Sequence, residues 1–138
     1  MESLDAHHRK QLRQIWKRKN MRNNEVYQLS KVRPISEEIR EARWRMFGHS
    51  LRLHRDTPAQ KAMEYYFTPE LKLKKYKGQR RTTLPIILNK DLKEANKKHI
   101  GNLELAKLET LDDLKKARRI AEDRLQWKKL SKVVCNIT

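Results

Sequence analysis

The chain has 138 residues, with 34 Lys plus Arg against 17 Asp plus Glu, and a formal net charge of +17. Only three Gly, four Pro and one Cys exclude collagen-like and low-complexity chains, disulfide scaffolds and Cys-rich zinc modules. No apolar run approaches the roughly 20 residues that cross a bilayer, and no signal-peptide pattern opens the chain.

So few turn-forming residues point to helices. The predicted fold is all-α: a small irregular domain of about five or six helices with one long basic loop, spanning residues 1–138 as a single unit. Hydrophobic residues are 37% of the chain, which implies a thin core. Trp16, Trp44 and Trp127, with apolar residues at helical spacing, argue that it folds nonetheless.

In chain order, Ser3 is placed to cap a first helix with Leu4, His8, Leu12, Ile15 and Trp16 along one side. Asn23 or Asn24 caps a short helix carrying Val26, Tyr27 and Leu29, which Pro34 ends. Ser36, Glu37 and Glu38 open a long helix over 36–54, acidic where the helix dipole favours it. Ile39, Ala42, Met46, Phe47, Ser50 and Leu51 form its face, with Trp44 and His49 on the flanks. Thr57-Pro58-Ala59-Gln60 reads as a capping Thr, Pro at the first helical position and Gln at the capping-box position.

Residues 68–83 lack helical period and read as a long basic loop. Helical spacing returns at Leu84, Ile87, Leu88, Asp91, Leu92 and Ala95, and fades before Gly101. Leu103, Leu105 and Leu108 fit an extended piece or an irregular helix. Thr110 to Asp113 starts a last helix, placed at 111–133, with two apolar stripes. One holds Leu114, Ala117, Ala121 and Leu125; the other holds Ile120, Trp127, Leu130 and Val134. Such a helix packs on two neighbours or breaks midway.

The positive charge is concentrated. Residues 1–22 carry seven basic side chains against two acidic, 68–83 six against one, and 111–138 eight against four. Residues 84–110 are nearly balanced, five against four. Patches of this kind attract polyanions, with affinity dominated by counterion release from phosphates. Lys74, Lys75, Lys77, Arg80, Arg81, Thr82 and Thr83 are the first candidates for phosphate contact, and Arg9, Lys10, Arg13 and Arg52 the second. RNA or DNA is therefore the expected partner, bound through its backbone; a membrane surface or a small-molecule substrate is not expected.

Catalytic chemistry is not proposed by any spacing. Gly48, Gly78 and Gly101 are scattered singly, so no phosphate-cradling loop forms. One Cys cannot anchor a zinc site, and no metal or other cofactor is expected. Asp91 and Asp123 fall beside Lys or Arg and read as ion-paired. The chain is expected not to be an enzyme by itself.

The ordered segments Leu4–Ile15, Ile35–Leu53, Asp56–Phe67, Lys74–Leu92 and Thr110–Leu130 resemble the region downstream of the polymerase domain in non-LTR (LINE-type) retrotransposon reverse transcriptases. The most specific piece is Trp44-Arg45-Met46-Phe47-Gly48-His49 with Leu51 and Arg52, followed by the basic loop and then by Asp123-Arg124 with Trp127. The resemblance implies a parent RNA-directed DNA polymerase acting in the nucleus or in a cytoplasmic ribonucleoprotein, with its polymerase domain as a second partner. The polymerase's Tyr/Phe-x-Asp-Asp signature is absent from this chain. In the loop, Lys77-Gly78-Gln79-Arg80-Arg81-Thr82-Thr83 lacks the Pro of the usual pattern. Trp44, Phe47, Gly48 and His49 take framing roles under this resemblance, and Asp123, Arg124 and Trp127 a structural lock on the last helix. The alternatives are a docking module for the parent polymerase, or a truncated, degenerate copy without selected activity.

Overall fold

The computed structural model describes residues 2–68, 82–98 and 103–135. Seven helices and no strand occur among the described residues: α1 Glu2–Ile15, α2 Asn23–Ser30, α3 Ile35–Leu51, α4 Pro58–Phe67, α5 Leu84–Lys98, α6 Leu111–Glu122 and α7 Arg124–Cys135. The chain forms two compact units, Met1–Arg43 and Trp44–Thr138, with the division inside α3. The basic loop lies outside the described residues except at Thr68, Thr82 and Thr83.

The first unit has little to bury. Leu12 of α1 and Val26 of α2 are enclosed, whereas Leu4, Ile15 and Trp16 of the expected stripe are exposed. Arg13 ties the two helices instead, with Nε donating to the Met21 carbonyl at 3.1 Å and Nη2 to Asn23 Oδ1 at 2.7 Å. With its amide oxygen so engaged, Asn23 does not cap α2. Arg22 takes the N-cap position, its N–H donating to Glu25 Oε2 at 3.1 Å. Lys31, at φ 53°, ends α2 three residues ahead of Pro34. The start of α3 is served from a distance: Asp5 of α1 accepts from Ser36 N–H at 2.9 Å and from its hydroxyl at 2.5 Å.

The second unit holds the larger core. Trp44, Phe47 and Leu51 of α3 meet Phe67 of α4, Leu88, Leu92 and Ala95 of α5, and Leu114, Ala117, Ile120 and Ala121 of α6. Trp127, Leu130 and Val134 of α7 complete it. Leu105 and Leu108 belong to this core without helical structure. Asn89 and Asn96, seven apart on one side of α5, lay that strip down. Asn89 Oδ1 accepts from Leu108 N–H at 3.0 Å, and Asn96 Nδ2 donates to the Ala106 carbonyl at 2.6 Å.

Two further helix ends, that of the long helix and the start of α4, differ from their sequence expectation. The long helix stops at Leu51 rather than 54, because Gln60 Nε2 donates to the carbonyls of Ser50, Leu51 and Leu53 at 2.7–3.2 Å. Gln60 thus closes the preceding helix instead of folding back on its own. The Thr57 hydroxyl donates to the His54 carbonyl at 2.8 Å and gives α4 no side-chain cap, while Pro58 does hold the first turn.

The helix expected over 111–133 is two. Thr110 and Asp113 form a reciprocal capping box for α6. Asp123 then interrupts the helix and caps α7, its Oδ1 accepting from Leu125 N–H at 2.9 Å and Gln126 N–H at 3.4 Å. The break lets both apolar stripes face one core, except Leu125, which is 62% exposed.

Candidate nucleic-acid interface

An aromatic trio frames the centre of the second unit. The Trp44 and Phe47 rings lie 6.0 Å apart, Trp44 and Trp127 5.7 Å, and Phe47 and Trp127 5.6 Å. Trp44 Nε1 donates to Asp91 Oδ2 at 3.1 Å, and Trp127 Nε1 donates to the Trp44 carbonyl at 3.1 Å. Each buried indole N–H therefore has an acceptor, as its burial requires. Trp44 is fully buried and offers no face to a base. Asp91, expected in an ion pair, is 4% exposed and accepts the Trp44 indole N–H. Gly48 lies directly under the Trp127 ring, where an added Cβ would overlap the indole. His49 is exposed on the other side of α3.

The basic candidates fall into three groups. Lys74, Lys75, Lys77, Arg80 and Arg81 lie outside the described residues. Of their neighbours, Thr82 is exposed, while the Thr83 hydroxyl donates to the Tyr66 hydroxyl at 3.1 Å and its carbonyl accepts from Ile87 N–H. Arg9, Arg13 and Arg52 are half-buried and employed within the chain: Arg9 Nη1 donates to Tyr27 Oη at 3.3 Å, and Arg52 Nη1 to the Ala121 carbonyl at 3.2 Å. Lys10 alone of that set is exposed.

The carboxylates are similarly employed. Glu38 and Glu41 hold Arg33, whose guanidinium is pushed up from its usual value by the Glu41 and then the Glu38 hydrogen bonds. Glu64 Oε1 accepts from Arg118 Nη1 at 3.0 Å, beside Gln60 Oε1, which accepts from Nη2 at 2.6 Å. Lys93 and then Asn89 hold the Glu109 carboxyl below its usual value. At Asp5, burial opposes ionisation, but the Ser36 hydroxyl and N–H, Arg9 and His8 outweigh it and lower its pKa. Asp113 and Asp123 cap helices.

Glu104, Asp112 and Glu122 are exposed acids, but every charged side chain on the outer side of the last helix is cationic. On α7, Arg124, Lys128, Lys129 and Lys132 are exposed on the side opposite Trp127, Leu130 and Val134. The helix contains no Asp or Glu. Of these four, only Arg124 was singled out from the sequence, and for packing; it is exposed. The legible signal for the row is the four-residue spacing of 124, 128 and 132 with no intervening acid. The buried relay from Gln60 through Arg118 had no such signal, because it joins residues 58 apart in the chain. Among the described residues, no group of three or more His, Cys, Asp or Glu is arranged to hold a metal ion. No described helix is long and apolar enough to cross a membrane. The chain matches no protein-family model, no curated protein and no solved structure.

Proposed function

We propose that this chain is a nucleic-acid backbone-binding module, non-catalytic by itself. One observation carries the reading: many described carboxylates are occupied in caps, ion pairs and buried hydrogen bonds, while Lys10, Arg124, Lys128, Lys129 and Lys132 are exposed in a chain of net charge +17. A surface of that kind draws phosphates through long-range attraction and counterion release. On α7 a single exposed amide, Gln126, stands beside the cations, so the contact there is to backbone rather than to base edges. The ordered segments around Trp44-Arg45-Met46-Phe47-Gly48-His49 and the basic loop further support a place in a non-LTR retrotransposon reverse transcriptase, in the nucleus or a cytoplasmic ribonucleoprotein.

A docking role would need an unspent apolar stripe on the last two helices. Both stripes are used by the chain's own core, and Leu125 is the one large apolar side chain exposed there. The test is binding of the purified chain to RNA and duplex DNA over a salt series, with heparin as competitor. Affinity is expected to fall about a thousandfold between about 50 and 200 mM salt if about six phosphates are contacted. Reversing the charge of Lys74, Lys75, Arg80 and Arg81 should abolish most of it. Equal, weak attraction to every polyanion would overturn the proposal.

A further inference from the structure

Resting on that reading, we propose that the outer face of α7 is a contact surface for the phosphate backbone of a nucleic-acid duplex. Arg124, Lys128 and Lys132 recur every four residues, which spaces them by about 6 Å along one side of a straight helix. Lys129 stands beside the row, and among the described residues none of the four forms an ion pair with a carboxylate. Elsewhere Arg33, Lys93 and Arg118 are each held by Glu. Among the described residues, no carboxylate competes with a partner for the α7 cations.

The helix is anchored rigidly. Asp123 caps its start, and Trp127, Leu130 and Val134 bury its inner side, so the row is presented without an ordering cost of its backbone. Its outer face carries no aromatic ring, because Trp127, the aromatic residue of α7, points into the core. Single-strand sites depend on rings that stack bases. A fixed row of cations without such rings suits the regular, stiff phosphate array of a duplex.

The experiment uses the full chain with a labelled DNA duplex of about 20 base pairs and with one of its strands alone. Lys128→Gln, Lys129→Gln and Lys132→Gln are combined in one variant, all at exposed positions, and its thermal unfolding is compared with the parent. A control of equal charge loss carries Lys17→Gln, Arg18→Gln and Lys19→Gln, which are exposed beyond α1. The α7 variant is expected to flatten the slope of log K against log salt by about 3 and to weaken duplex binding at least tenfold at about 100 mM salt. The control is expected to change both far less.

Steep duplex binding that the α7 variant leaves unchanged, or that the control reduces as much, overturns this inference and leaves the general reading standing. No salt-dependent binding by the parent chain overturns both. Preference for the single strand overturns the duplex assignment.

Discussion

Gly48 is required by what lies over it. A methyl group there would overlap the Trp127 indole, whose N–H is already committed to the Trp44 carbonyl and whose ring is wedged against Trp44 and Phe47. Packed against both rings and tied through its N–H, the indole cannot turn aside without giving up those contacts. Gly48→Ala is therefore expected to destabilise by about 3 kcal/mol, the upper end of overpacking costs, despite Ala's better helix propensity. Chemical denaturation with unchanged slope and a lower midpoint would show it; a neutral or stabilised variant would refute the close approach. Asp5 provides a second residue-scale test. Its pKa is lowered in the folded chain, so its contribution is complete above the ordinary carboxylate range and is lost as pH falls through the lowered value. Asp5→Ala should cost about 1 kcal/mol near neutral pH, and the gap from the parent should narrow as pH falls through the lowered value. A gap that persists unchanged in acid would refute the charged cap.

At the scale of elements, several helix ends are closed by residues from outside the helix itself. Gln60 closes α3 from α4, Asp5 opens α3 from α1, and Arg52 of the segment after α3 caps the Ala121 carbonyl near the end of α6. Gln60 is the most exacting of these. It is 1% exposed, gives its amide protons to three carbonyls and accepts from Arg118. Gln60→Leu keeps the volume but strips partners from several buried polar groups, and about 3 kcal/mol of stability should go with it. A thermal melt within about a degree of the parent would refute that role. Capping of this kind was only half legible. Thr110 and Asp113 are three apart and do what their spacing announces. Gln60 satisfies the same pattern and does something else, because burial offered it acceptors that its own first turn did not.

Across the whole molecule, the charge and the core were legible to different degrees. Composition and periodicity were sufficient for an all-helical chain, for Phe47, Leu88, Leu92, Leu114 and Trp127 as core, and for an excess of unneutralised cations, since each depends on local spacing or on counting. The split of the last helix was legible only as an open choice, because apolar stripes state which sides are buried and not whether the axis is straight. Which cations face solvent was decided by the tertiary structure. Arg13, Arg52 and Arg118 look like any other basic residues in the sequence, yet each meets a carbonyl, an amide or a carboxylate brought near by folding. Lys128, Lys129 and Lys132 meet none of these, since their side of α7 has no neighbour among the described elements that supplies an acid. A sequence determines how much charge and apolar surface a helix carries and on which side. Only the fold determines which polar groups find partners, because those partners come from distant parts of the chain.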